Sequence, residues 1–218
     1  MNNFIDFLDA TCPSSLIYRL KQGGGHKKQA IARAVGTSHN HMLQVIDATC
    51  GFGTDAIVLA HLNCKVYAIE KNLTVAKLVK DRLLTAKNND FLAPIIKNIT
   101  LFTGNSLQII PDIVKKHNCL PDVIYLDPMF NRKTYAAPKK LMQILQFIIS
   151  NEQQHHHQNQ HDNLEDQNLL KFSLQYAAKR VVVKRSRIAP YLENIKPNFS
   201  LTGKANRFDV YLSKLHNK

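Results

Sequence analysis

The chain has 218 residues, 44% of them hydrophobic, enough for one globular domain with a sizeable core. No apolar run approaches the ~20 residues that cross a bilayer, and the N-terminal MNNFIDFLDATCPSS, with acids in its apolar stretch and no basic start, is not expected to be a secretory signal. Lys and Arg number 29 against 16 Asp and Glu, a formal charge of +13, which favours a polyanionic partner over a membrane surface, since no bulky amphipathic anchor accompanies it.

In chain order, residues 1–40 read as a basic, glycine-rich preface. Gly23-Gly24-Gly25 precede a helical stretch over 26–35 that ends at Gly36. A glycine turn opening a basic helix can offer backbone N–H groups to phosphate, although the Walker lysine pattern is missing. From residue 44 onward, short β-branched runs alternate with helical patterns, the signature of an α/β fold with a mostly parallel sheet. The spacing predicts a strand at 44–48, a helix at 54–62, a strand at 65–69 and a helix at 73–88 with Val75, Leu78, Val79 and Leu83 on one face. A strand at 99–102, a helix at 106–117, a strand at 122–126 and a helix at 138–150 follow, the last with Pro138 in its first turn. Residues 151–168 hold one strongly apolar side chain, Leu164, and read as a solvated loop. His155, His156, His157 and His161 lie there, and such a polar loop lacks preorganised geometry, so no metal site is expected. A strand at 180–184 and a hairpin of strands at 199–202 and 207–212 around Gly203 close the main unit, 41–218. Cys12, Cys50, Cys64 and Cys119 are irregularly spaced, as in a reduced cytoplasmic protein.

The most informative segment is Asp47-Ala-Thr-Cys-Gly-Phe-Gly-Thr-Asp55. An apolar strand ends in Asp47, turns through Gly51 and Gly53, and enters a helix. Glycines allow a tight turn and bring backbone N–H groups to a ligand at the helix N-terminus. Glu70, 19 residues after Gly51 at the end of the second strand, is placed to accept from ribose hydroxyls. Gly51, Gly53 and Ala56 also fit the dinucleotide pattern GxGxxG/A, so the loop alone leaves NAD open beside S-adenosylmethionine (SAM). Asp47 favours SAM, because its carboxylate can neutralise the methionine ammonium and does nothing for a pyrophosphate. So do the two C-terminal strands, which suit a seven-stranded methyltransferase sheet.

Asp127-Pro128-Met129-Phe130, at the end of the fourth strand, resembles the [DNS]-PP-[YFW] motif of amino-methyltransferases. A nucleobase amine is a poor nucleophile because its lone pair is delocalised into the ring. The Asp127 carboxylate and the Pro128 carbonyl can accept its two N–H bonds and turn the lone pair toward a methyl group. Phe130 can stack on the base, worth ~1–3 kcal/mol. Met129 replaces the second proline of the motif and leaves the clamp less rigid. The positive charge gathers in three acid-free runs, 19–33, 131–140 and 179–187. Lys27, Lys28, Arg132, Lys133, Lys184 and Arg185 are the candidate RNA phosphate contacts.

The stretches GGG through AVG (23–36), VIDATCGFGTDAIVLA (45–60), CKVYAIEKN (64–72), VIYLDPMFNRK (123–133), KRVVVKR (179–185) and RFDVYL (207–212) span most of the chain. On them the chain resembles the RsmJ family of 16S ribosomal RNA (guanine(1516)-N(2))-methyltransferases. The resemblance implies a Rossmann-like, class I SAM-dependent methyltransferase acting on a guanine N2 of small-subunit rRNA. It further implies cofactor contacts at Thr54 and Asp55, Glu70 and Lys71, Asn105 and Ser106, and Asp127. The chain departs from the family pattern at Phe52, Thr54 and a shortened N-terminal segment. A monomer is expected. The motifs leave two other readings: a non-catalytic RNA-binding assembly factor on a SAM fold, and an amino-methyltransferase for another nucleic acid or a protein glutamine.

Overall fold

The computed structural model describes residues 14–22, 28–128, 168–203 and 206–214. Its elements are α1 (Ser14–Gln22), α2 (Ala30–Val35), β1 (Leu43–Asp47), α3 (Thr54–His61), β2 (Cys64–Glu70), α4 (Leu73–Ala86), α5 (Ala93–Ile96), β3 (Ile99–Thr103), α6 (Ser106–His117), β4 (Val123–Leu126), α7 (Leu169–Tyr176), β5 (Arg180–Ser186), β6 (Phe199–Thr202) and β7 (Asn206–Leu212). The strands form one seven-stranded sheet in the order β3-β2-β1-β4-β5-β7-β6. The first five are parallel, and β7 runs antiparallel to both β5 and β6. The order reverses between β1 and β4, where ligands of open α/β sheets bind.

Every strand expected within the described residues forms, with small shifts at its ends. β5 runs on to Ser186 because β7 pairs with it as far as Ser186 opposite Asn206. α4 begins where the Asn72 side chain accepts from the Val75 N–H at 2.9 Å, a cap of about 1 kcal/mol. It ends at Ala86, where Lys87 and Asn88 tighten into i→i−3 bonds. The helix expected over 26–35 is realised as α2, which starts at Ala30 because Gln29 takes an extended backbone. Helices α1, α5 and α7 stand where no element was assigned. The expected helix at 138–150, residues 151–167 of the polar loop, and Lys27, Phe130, Arg132 and Lys133 lie outside the described residues.

Two apolar clusters sandwich the sheet. One joins Val45, Tyr125 and Val182 to α1, α2, α3, α4 and α5. The other joins Ile46, Ile124, Leu126, Val181 and Val183 to α6 and α7. Side chains alternate along a strand. Two residues beyond Val45, Tyr125 and Val182 come Asp47, Asp127 and Lys184, so the same alternation sends all three to the face that α3 covers. Asp47 pairs in register with Tyr125, and Leu126 with Val183, so these strand ends lie side by side.

Candidate active site

The β1–α3 loop is fixed from four directions. Ala48 N–H donates to the Tyr125 carbonyl at 3.0 Å and Cys50 N–H to the Ile69 carbonyl at 2.9 Å, tying it to β4 and β2. Arg82 Nη1 of α4 donates to the Phe52 carbonyl at 2.7 Å. Ser106 Oγ, in the first turn of α6, donates to the Ala48 carbonyl. Gly51 and Gly53 have φ of +53° and +73°, the left-handed conformation that favours glycine. A Cβ at Gly53 would meet Val79 Cγ1 at 3.3 Å, whereas one at Gly51 would enter open space.

Glu70 faces this loop from the end of β2. Its Oε2 accepts from Gly51 N–H at 2.7 Å and its Oε1 from Asn72 N–H at 2.9 Å. Burial raises its pKa, and those two hydrogen bonds pull it back toward the ionised form. Each carboxylate oxygen has two lone pairs, so bracing the loop leaves Glu70 able to accept from a ribose hydroxyl as well.

These bonds discriminate between the two cofactors left open by the glycine pattern. A pyrophosphate needs free N–H groups at the glycine turn. Here Gly51 N–H points at a carboxylate, and Gly53 N–H closes onto the Cys50 carbonyl at 2.9 Å. Asp55 and Glu70 would repel a phosphate at the same place, and the buried Asp47 would gain nothing from one. A ligand with an ammonium, a sulfonium and ribose hydroxyls fits them.

Asp47 is 1% exposed, and its Oδ1 accepts from Thr49 N–H at 3.3 Å. Burial first, and then the neighbouring Asp55 carboxylate, push its pKa well above the usual range. A buried carboxyl in that condition gains from a cationic partner. Thr49 also reaches β4, where its Oγ1 accepts from Asp127 N–H at 2.6 Å. The cofactor loop and the Asp127 backbone are therefore directly bonded.

Asp55, expected as a cofactor contact, is held by neighbouring side chains. Its Oδ2 accepts from Lys184 Nζ at 2.6 Å and Tyr125 OH at 2.8 Å, and its Oδ1 from Arg19 Nη1 of α1 at 3.4 Å. Burial alone would raise its pKa, but the Lys184 ammonium, Arg19 and the Tyr125 hydroxyl together offset that and hold it below the usual value. Burial and the Asp55 charge push the Tyr125 phenol up, so it remains a hydroxyl donor.

Lys184, expected at RNA phosphates, instead sits between carboxylates. Its ammonium is 2.6 Å from Asp55 Oδ2 and 2.7 Å from Asp127 Oδ2. Arg185 is part-exposed and donates through Nε and Nη2 to the Pro190 carbonyl at 3.2 and 3.0 Å. Lys28 and Lys71 are exposed. Asn105 Oδ1 accepts from Leu107 N–H at 2.9 Å and caps α6, so Asn105 and Ser106 hold the backbone along the carboxyl edge of the sheet. Thr54 is part-buried in the first turn of α3, and Pro128 follows Asp127 as a buried residue.

Four residues that organise this region escaped the sequence reading: Arg19, Thr49, Arg82 and Tyr125. Only Tyr125 left a usable signal, a hydroxyl in the apolar run VIYL two positions before Asp127.

The model of the family described as "Putative SAM-dependent methyltransferase" matches residues 3–213. Ribosomal RNA small subunit methyltransferase J from Colwellia psychrerythraea is 40% identical over 211 residues, covering 96% of this chain and 70% of its own length. The protein of the same name from Nitrosococcus oceani is 37% identical over 214 residues, covering 96% and 76%. The crystal structure of the SAM-dependent methyltransferase NGO1261 from Neisseria gonorrhoeae matches with a TM-score of 0.65 at 34% identity, over 86% of this chain and 72% of that one. The rRNA methyltransferase aviRa from Streptomyces viridochromogenes, with a TM-score of 0.52 and 12% identity over 84% and 82% of the two chains, shares the fold.

Proposed function

This chain belongs to the SAM-dependent methyltransferase family that includes the ribosomal RNA small subunit methyltransferase J proteins, and on that premise we propose that it methylates the exocyclic N2 of a guanine in 16S rRNA. The observation that carries the reading is the bond between Thr49 and Asp127, which ties the cofactor loop to the start of the amine-clamp motif across the switch point of the sheet.

SAM supplies a methyl group on a sulfonium and leaves as a neutral thioether once the guanine nitrogen has taken that methyl. Asp47 balances the ammonium of the cofactor, and Glu70 receives its ribose hydroxyls. Gly51, Gly53, Thr54 and Lys71 border the same crevice, and Asn105 and Ser106 brace its far wall. Asp127 and the Pro128 carbonyl accept hydrogen bonds from the two N2–H groups, which turns the nitrogen lone pair toward the methyl carbon. Asp127 receives the proton that N2 loses as the C–N bond forms. Phe130 stacks on the guanine. Fixing donor and acceptor in this way can supply several of the ~7–11 kcal/mol that orientation offers. Lys27, Lys28, Arg132, Lys133 and Arg185 take rRNA phosphates. The protein acts as a monomer in the cytoplasm, where its ribosomal substrate is.

The test is transfer of a labelled methyl group from SAM to small ribosomal subunits lacking the modification, followed by mapping of the labelled nucleotide. Label on one guanine N2 is expected. SAM binding without label on any ribosomal RNA would reject the reading and favour a non-catalytic RNA-binding factor.

A further inference from the structure

Lys184 belongs to the basic run of β5, yet its ammonium lies within the sheet-edge cluster, 2.6 Å from Asp55 Oδ2 and 2.7 Å from Asp127 Oδ2. Its side chain is 20% exposed, against 11% and 26% for the two carboxylates. A lysine reaching for phosphate extends into solvent, whereas this one turns inward because β5 alternation sends it to the face that α3 covers. Two carboxylates on different elements thus share one cation. Asp55 belongs to the first turn of the cofactor helix α3, and Asp127 is the proposed amine acceptor.

We propose that Lys184 is a positioning residue for methyl transfer: it fixes the Asp127 carboxylate and couples it to the cofactor helix through Asp55. The inference rests on the role given to Asp127 above. The Thr49 bond holds the Asp127 backbone, and the Lys184 ammonium holds its carboxylate. Among the described residues, the titratable groups around the pair are Asp47 of β1, Asp55 of α3, Tyr125 of β4 beside Asp55, and Arg19 of α1 on the far oxygen of Asp55. Asp55 and Asp127 meet at one ammonium, so without it their carboxylates would repel each other and turn apart. An Asp127 turned away from the crevice could not accept from the amine. The Lys184 ammonium opposes that repulsion, and the pairing is felt at Lys184 itself. Burial alone would lower its pKa, but Asp55 and Asp127 together raise it above the usual lysine value.

The test compares Lys184→Met, Lys184→Gln and Lys184→Arg with wild type, using SAM and unmodified small subunits. Removing the charge should lower kcat about a hundredfold, in the range for one preorganised electrostatic partner. The acid limb of the kcat profile should move to higher pH, because a carboxylate loses its neighbouring cation. The SAM Kd and the KM for subunits should stay within about threefold of wild type. Lys184→Arg should restore the pH profile. An unchanged kcat, with a raised KM and a shallower salt dependence, would overturn the proposal, because that is the signature of a phosphate contact.

A second measurement needs no substrate. Melting temperatures of Lys184→Gln, Asp127→Asn and the double variant should be non-additive, with Asp127→Asn recovering part of the loss. Lys184→Arg serves in the same cycle if the neutral variants do not fold. Additive losses would overturn the coupling. If wild type methylates no rRNA, the assigned function fails, and the cycle still decides whether Lys184 holds Asp127.

Discussion

Alanine at Gly51 and at Gly53 should separate backbone strain from cofactor contact. Both residues are left-handed, with φ of +53° and +73°. An L side chain there costs about 1–2 kcal/mol, or roughly 2–8 °C in melting temperature for a chain of this size. The added Cβ atoms meet different surroundings. At Gly53 the Cβ lies 3.3 Å from Val79 Cγ1 and 3.8 Å from Cys50 Sγ, inside the protein, so Gly53→Ala should be the less stable variant without ligand. At Gly51 nothing lies within 4 Å, and the proposed cofactor occupies that opening. Crowding it by one methyl should cost about 1.4 kcal/mol of binding, within the usual range for overpacking, which is about tenfold in Kd. Thermal melting with and without SAM reads both effects. At a concentration one hundred times the wild-type Kd, SAM should stabilise wild type and Gly53→Ala by about 2.7 kcal/mol, and Gly51→Ala by about half of that. An equal ligand-induced shift in Gly51→Ala and wild type would refute the placement of the cofactor over this loop.

Asp127→Ala should retain SAM binding, since Lys184 keeps Asp55 as its partner, and should lose detectable methyl transfer; undiminished turnover would remove Asp127 from the clamp. Arg207→Met should leave the fully buried Asp209 carboxylate without the guanidinium that now donates to it at 2.8 Å. That should cost about 3–5 kcal/mol, lowering the melting temperature by roughly 10 °C. The SAM Kd should not change, because β7 lies beyond β5 from the crevice, and calorimetry on the folded variant checks this. Arg185→Gln should weaken binding to small subunits and make its dependence on salt concentration shallower by about 0.7 in log–log slope; an unchanged slope would remove Arg185 from the phosphate contacts.

The fold was legible because its strands are short β-branched runs with turn residues between them, and because α4 carries Val75, Val79 and Leu83 at helical spacing over an Asn72 cap. The carboxylates at the strand ends were legible for the same reason, since a strand's end fixes where its last residues stand. Their partners were not. Glu70 could be placed opposite the glycine turn by spacing, but its bond to Gly51 N–H depends on the left-handed backbone of the loop. Lys184 looked like one more residue of a basic run. Its inward direction follows from alternation after Val182. Its meeting with Asp127 depends on the pairing of Leu126 with Val183, residues 57 positions apart that no local pattern connects. Arg19 reaches Asp55 across 36 residues from a helix where no element was assigned. Long-range pairing and side-chain direction, which a local period does not encode, account for most of what was missed.

The gathering of Asp47, Asp55 and Asp127 on one sheet face carries a cost whose sign can be worked out. Burial, followed by repulsion from Asp55, raises the pKa of Asp47 well above 3.8. The native state therefore holds a proton that the unfolded chain has released. Stability falls as pH rises from the ordinary carboxylate range toward the raised value. Asp47→Asn should remove that penalty, leaving melting unchanged near pH 3.8 and raising it progressively toward neutral pH. Cofactor binding should respond in the opposite sense. An ammonium is best paired with ionised Asp47, so wild-type SAM affinity should rise with pH through the raised pKa, and the Asn variant should bind weakly with a flatter profile. Melting curves and calorimetric titrations of both proteins across this pH range test the two halves together. A stabilised variant that keeps wild-type affinity would show that the buried carboxylate serves something other than the cofactor ammonium. If both profiles follow the expected signs, the destabilisation at Asp47 is part of how the site selects a cation over a pyrophosphate.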